Sequence, residues 1–426
     1  MLTYQVIQNL GLVIGFYETS PRTIGKRRTR PPVTMLIPSY EQAAASMTNR
    51  RNRSEGKAEL NFDLSEEQGL LRDLIEKFAG DRYDSVRRLA YVREPAGFDP
   101  GGWATLADMG VLAFPFGEEL GGFGGGSVEL ITIMEAMGRA VAVEPLLPVV
   151  VLAGGLLERA GTDAQKSEWL PRLISGEISA ALAHGERDAR FNQERVTSRA
   201  MVNGGGGAVL DGVKQAVLGG ACADILLVSA LDADGNVALY LVHADAEGLR
   251  RRDYRLTDGS VASDISFTHV KAEPMAGGMA DIAAIMGDGR LAVCGELVGL
   301  MAMMFDATLD YVKTREQFGQ PIGHFQSIQH RMADNYARLE LARSQLYRAA
   351  ALDARDPGRE AAIAGAKSYI SANAMLLGED AVQLHGGIGT TEELMVGQAF
   401  KRTMLLTSLF GDSEWEQRRY IQLING

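Results

Sequence analysis

Cysteine is nearly absent: Cys222 and Cys294 are the only two in 426 residues, and neither sits in a CxxC pair. That excludes a disulfide framework and leads us to expect a reducing, cytoplasmic setting. The six histidines form no HExxH or clustered Cys/His pattern, so no dedicated metal site is expected. Positive charge is in the minority, 43 Lys and Arg against 54 Asp and Glu, and a net charge of -11 disfavours nucleic acid as a partner. The apolar run from Leu10 to Phe16 is far short of the about 20 residues that cross a bilayer, and no basic segment precedes it as in a secretory signal. The glycine run Gly121–Gly126 lacks the GK[ST] of a P-loop, and no GxGxxG opens a helix after a strand. P-loop and Rossmann nucleotide sites are therefore disfavoured.

What is present is a core-forming composition, 46% hydrophobic, over a length that suggests several structural units. Residues 1–57 stand apart. Arg22, Lys26, Arg27, Arg28 and Arg30 form a basic, proline-flanked stretch, which reads either as an organelle transit segment or as a disordered, over-extended start with translation from Met47. Organised sequence begins near Phe62, where Ser65 and Gln68 make a capping-box pattern ahead of Leu70, Leu71, Leu74, Ile75 and Phe78 at helical spacing. Residues 58–175 read as a helical domain. Residues 176–278 change to short β-prone runs between Gly/Asp turns, with Ile225 to Val228, Val237 to Val242 and Ile265 to Val270 as strands of a small sheet or barrel. Residues 279–426 return to long apolar-faced helices, expected over Arg290–Thr314, Ser327–Ala354 and Arg359–Leu384 and packed as a bundle.

Two segments carry chemistry. The first runs Tyr311-Val312-Lys313-Thr314-Arg315-Glu316-Gln317-Phe318-Gly319-Gln320-Pro321-Ile322-Gly323-His324-Phe325-Gln326. The second is Gln383-Leu384-His385-Gly386-Gly387-Ile388-Gly389. An arginine at a helix end beside a Gly/Pro turn can clamp a pyrophosphate through paired charge-assisted bonds, and a bare glycine doublet lets backbone approach a nucleotide. Together, and with the helix–β–helix order, these segments resemble the signatures of the acyl-CoA dehydrogenase family from about Phe62 to the C-terminus. The resemblance implies an α+β chain of the acyl-CoA dehydrogenase fold: an N-terminal helical domain, a middle β-barrel-like domain and a C-terminal four-helix bundle. It also implies FAD as cofactor, with Arg315 on the pyrophosphate and Phe318 and Gln326 against the cofactor. Gln383, Gly386 and Gly387 would reach the adenine half from a neighbouring subunit.

The reaction the family carries out needs a carboxylate to take the α-proton of a CoA thioester. Both positions that usually carry it are glycine here: Gly411, in Phe410-Gly411-Asp412-Ser413, and Gly289, just ahead of Arg290. A branch that includes small subunits of heteromeric members, such as pimeloyl-CoA dehydrogenase, has Thr-x-Glu after the glycine doublet. Glu393 of Thr391-Glu392-Glu393 matches it and is the nominated base, with Glu296 as rival. The β region departs from the family pattern at His184-Gly185-Glu186-Arg187-Asp188 and Val217-Leu218-Gly219, and His184 is expected to be structural. The implied activity is dehydrogenation of an acyl-CoA to a trans-2-enoyl-CoA in fatty-acid oxidation, with electrons leaving to an electron-transfer flavoprotein. A dimer or tetramer, homo- or hetero-oligomeric, is implied with it. A non-catalytic partner subunit and an acyl-CoA oxidase remain open alternatives.

Overall fold

The computed structural model describes residues 64–202 and 206–425; the segment 1–57 lies outside them. Helix α1 (Glu66–Arg82) starts on the Ser65/Gln68 capping box and buries Leu71, Ile75 and Phe78. Asp84 and Asp99 cap α2 (Ser85–Tyr91) and α3 (Pro100–Asp108) through backbone N–H groups. After α4 (Ser127–Arg139), the apolar run Leu146–Gly154 forms a wide π-helix that leads into α5 (Gly155–Ala160) and α6 (Asp163–Ile174). Wide turns of this kind are rare and concentrate at functional sites.

Seven strands follow: β1 (Ala180–Ala183), β2 (Arg199–Val202), β3 (Ala208–Leu218), β4 (Ile225–Leu231), β5 (Val237–His243), β6 (Leu249–Arg255) and β7 (Val261–Gly278). The order β4-β2-β3-β7-β5, with β5 pairing back onto β4, closes a barrel. β1 joins β4 in parallel and β6 joins the long β7. The inner faces of Leu210, Leu226, Val228, Tyr240, Ile265 and Phe267 fill its own core.

The C-terminal helices are α7 (Met279–Thr314), α8 (Gln326–Ala350), α9 (Arg359–His385), α10 (Met395–Ser408) and α11 (Ser413–Asn425). A two-stranded hairpin, β8 (Glu316–Gln317) with β9 (Gln320–Pro321), links α7 to α8. Helix α7 is long and apolar enough to span a membrane by composition, yet it is the buried centre of the bundle. Helix α4 crosses it in close contact: a Cβ at Gly138 would collide with the Glu296 carbonyl, and one at Gly299 with that of Glu135. Only glycine lets the two backbones meet there, and this contact joins the first helical region to the bundle.

Candidate active site

The two segments singled out in sequence meet in space. The Tyr311 ring on the last turns of α7 stacks on His385 at the end of α9, with ring centroids 4.4 Å apart. The Tyr311 hydroxyl also donates to the His385 carbonyl at 3.4 Å. Tyr311 lies one helical turn before Arg315, and His385 immediately precedes Gly386, so the stack brings the two segments together. Arg315 caps α7 through its own N–H to the Tyr311 carbonyl, and its exposed guanidinium has no carboxylate partner among the described residues. Phe318 and Gly319 form the hairpin tip with φ of +56° and +80°, the pair of positive values a type I′ turn requires. That turn leaves the Phe318 ring 90% exposed. Gln326, Gln383, Gly386 and Gly387 are also exposed, and nothing stands within 4 Å of a Cβ built on either glycine. An unpaired guanidinium and a bare ring fit one edge of a dinucleotide such as FAD, and the open glycine backbone leaves room for a nucleotide held by a neighbouring protomer.

A cavity of about 210 Å³ opens between the barrel and the bundle, lined among others by His184, Gly185, Leu218, Leu152, Met286 and Phe410. A narrower one of about 60 Å³ lies deeper, against the π-helix, with Met134, Leu146, Cys222, Glu296 and Arg402 in its wall. Leu218 and Leu409 line both and divide them. A larger concavity, about 740 Å³, is an open groove by α1, α4 and α8. It lies away from both sequence segments, and its Arg343 is satisfied by Glu135 and Glu340.

Among the described residues, no carboxylate lines the mouth cavity. Both usual positions of the base are closed as well as empty. A Cβ on Gly289 would stand 2.8 Å from Leu152 Cδ2 and 3.4 Å from the Phe410 ring. A Cβ on Gly411, at φ +134°, would stand 2.5 Å from Glu416 Oε1, and Glu416 is fully buried on Arg290 at 2.7 Å. Glu393 lies on the loop ahead of α10, exposed, outside both cavities and without a hydrogen-bond partner among the described residues. Glu296 is committed elsewhere: Arg402 donates to its two oxygens at 2.6 and 3.1 Å.

Arg402 also donates to Asp258 at 2.8 Å. Burial alone would lower the Arg402 pKa, but these two carboxylates overcome it and raise it. Arg88, from α2, reaches the Val141 and Asp258 carbonyls and the Gln398 side chain, so the cluster ties α2, the barrel and α10 together. On the barrel side, Lys214 is wholly buried, and its ammonium donates to Glu186 at 2.8 Å, Ser229 at 3.0 Å and the His184 carbonyl at 3.2 Å. His184 itself pairs through Nδ1 with Ser229 at 2.8 Å, and burial together with the Lys214 charge lowers its pKa to about 4, so the ring is neutral near pH 7.

A model of the acyl-CoA dehydrogenase N-terminal domain matches residues 65–177, and one of the C-terminal domain matches residues 276–422. Mitochondrial isovaleryl-CoA dehydrogenase of Pongo abelii is 30% identical over 424 residues, covering 93% of this chain and 96% of its own. The chain belongs to the acyl-CoA dehydrogenase family. Among solved structures, a variant of the Tcur3481-Tcur3483 steroid ACAD is similar at 29% identity and TM-score 0.78, covering 84% of this chain and 98% of its own. The ChsE4–ChsE5 complex from Mycobacterium tuberculosis follows at 26% identity and TM-score 0.80, covering 86% and 99%. The expected acyl-CoA dehydrogenase fold is thus the observed one, and the chain is an oxidoreductase of the kind that uses FAD to dehydrogenate acyl-CoA.

Within that family frame, sequence reasoning overlooked the buried Lys214–Glu186 pair and the lysine at 367. The signal was there in principle: a lone lysine in the apolar stretch Ala361-Ala362-Ile363-Ala364-Gly365-Ala366-Lys367 cannot face water if its neighbours face the core. The Arg402–Asp258 contact carried no local signal, because it joins residues 144 positions apart.

Proposed function

We propose that this chain converts an acyl-CoA to a trans-2-enoyl-CoA and delivers the electrons to an electron-transfer flavoprotein. The observation that carries the reading is the exposed Arg315, without a carboxylate partner among the described residues, on the same hairpin as the bare Phe318 ring, with the Tyr311–His385 stack holding the glycine doublet open for a neighbouring protomer. When bound, FAD supplies the hydride acceptor, and the chain supplies position and a mainly apolar cavity. Arg315 holds the pyrophosphate, Phe318 and Gln326 lie against the cofactor, and Gln383 with the glycine doublet serves a neighbouring protomer. Glu393 takes the α-proton; exposed on the lone chain, it becomes a usable base only once assembly covers its loop. The test is Glu393→Gln in purified protein, with flavin content and anaerobic bleaching by a series of acyl-CoAs both measured. Retained flavin with lost bleaching supports the assignment; undiminished bleaching refutes it.

A second reading is favoured by the closed glycine positions. With Leu152 and Phe410 filling the space beside Gly289, and Glu416 filling that beside Gly411, the chain serves as the cofactor-holding half of a hetero-oligomer whose partner brings the base. The similarity to the ChsE4–ChsE5 complex fits this arrangement. A yellow protein that no acyl-CoA bleaches alone, but that does bleach after adding a second family member, selects this reading over the first.

A further inference from the structure

Behind the wall of the mouth cavity lies a lysine that neither reading uses. Lys367 projects from the middle of α9 and is wholly buried. It has no carboxylate in ion-pair range among the described residues. Its ammonium instead donates to the Ser371 hydroxyl at 2.9 Å and to the carbonyls of Thr407 and Gly411, each at 3.1 Å, and Leu406 at 3.3 Å. Leu406 and Thr407 end α10, where the helix dipole is negative and a cation is favoured. Gly411 lies in the turn to α11, a turn with two consecutive positive φ values, +61° at Phe410 and +134° at Gly411. A left-handed phenylalanine is strained and persists only where its surroundings fix it. Here a second buried cation helps, because Arg290 Nε donates to the Phe410 carbonyl at 3.2 Å. Two cations from two bundle helices thus grip adjacent carbonyls of one strained turn. That turn hangs Phe410 and Leu409 into the cavity, and Leu409 divides it from the deeper one.

We propose that Lys367 is a positioning residue: as an ammonium it fixes the 409–411 turn and so sets the wall of the cavity and the division between its two chambers. The inference rests on that cavity being the acyl-CoA site, but its test reads the turn and not turnover.

The clamp is pH-sensitive. Burial brings the Lys367 pKa down from the usual lysine value to about 8. The ionisable groups facing it are Cys294 and Arg290 from α7, Asp412 from the turn and Glu416 from α11. The Cys294 thiol, pushed up to about 12 by burial, stays protonated across the range that matters. Above about 8 the amine has two protons for four acceptors, and the turn loosens. Global stability moves the other way. The folded pKa lies below the unfolded value of 10.5, so the unfolded chain binds more protons between the two, and Lys367 makes stability rise with pH there. Loosening of the turn above pH 8 is therefore distinct from incipient unfolding.

Trp415, on the first turn of α11, reports on it, packing on Phe191 of the cavity wall with ring centroids 5.6 Å apart. The experiment is fluorine NMR of the full chain loaded with FAD and grown on 5-fluorotryptophan, with the Trp415 resonance assigned by Trp415→Phe. We expect this resonance to titrate with a midpoint near pH 8 in the unmodified protein and to be flat from pH 7 to 9 in Lys367→Met. Ser371→Ala, which removes one acceptor and is mild enough to fold, should move the midpoint to lower pH. A flat profile in the unmodified protein, the same titration in Lys367→Met, or an unmoved midpoint in Ser371→Ala would each overturn the proposal. Failure of the acyl-CoA reading would instead appear as absent bleaching with the Trp415 titration intact.

Discussion

Restoring a carboxylate at 411 should damage the chain before it helps catalysis, and Gly411→Ala isolates the reason. The added Cβ meets Glu416 Oε1 at 2.5 Å and Trp415 Cδ1 at 2.8 Å, at a backbone φ of +134° that side chains rarely adopt. The backbone strain alone is worth about 1–3 kcal/mol. The Glu416 carboxylate is the tip of a flexible side chain, but it cannot swing away freely, because it neutralises the buried Arg290 at 2.7 Å. Leaving that guanidinium unpaired costs about 3–5 kcal/mol. The expected loss for Gly411→Ala is therefore about 4 kcal/mol or more, and Gly411→Glu should lose at least as much without gaining dehydrogenation. The assay is the urea midpoint of Gly411→Ala in two backgrounds, unmodified and Glu416→Ala. In the second, the collision with the carboxylate is already gone, so the backbone cost of about 1–3 kcal/mol and the contact with Trp415 Cδ1 should remain, and the loss should be smaller than in the unmodified background. A loss under about 1 kcal/mol in the unmodified background, or strict additivity across the cycle, would refute the reasoning.

Three further outcomes are expected. Arg315→Ala should keep its far-ultraviolet circular dichroism but lose flavin on gel filtration, with FAD affinity reduced at least about tenfold, since charge-assisted bonds are worth about 1.5–3 kcal/mol; full flavin content would count against the cradle. Gly289→Glu should be destabilising alone and better tolerated with Leu152→Ala, whose truncation clears the nearest obstacle at 2.8 Å, a non-additivity readable in thermal midpoints. Although burial alone would raise the Glu186 pKa, hydrogen bonds from Lys214 and Thr197 and the lysine charge draw it down to about 2. Its contribution to stability is therefore present above the usual value of 4.5 and lost as pH falls toward about 2; Glu186→Gln should lose about 3–5 kcal/mol at pH 7 by stranding Lys214, and should lack that acid-linked component in urea melts between pH 5 and 3.

The parts of the fold that were legible are those whose signals are local. The capping box at Ser65, the run from Ile225, and the helix ending at Thr314 all follow from residues within a few positions of one another. The segments that carry Arg315 and Gly386 stood out for a different reason: each has a shape requirement, a turn after a helix and bare backbone. The β2–β4 and β5–β7 pairings that complete the barrel were not legible, because their partners are distant in sequence. Nor could composition reveal that the glycines at 289 and 411 are filled in by Leu152 and Glu416, since occlusion is a property of packing. The exposure of Glu393 was hidden for the same reason: a carboxylate after a glycine loop reads alike whether it faces a cavity or water.

The hairpin tip has a thermodynamic corollary. On the proposed reading, a dinucleotide spans the bare Phe318 ring of one protomer and the glycine backbone of the next, so it belongs to neither alone. Ligation and self-association then draw on one shared free energy, and each must strengthen the other by the same factor. Diluting the yellow protein should shed its colour, and adding free FAD should pull the separated chains back together.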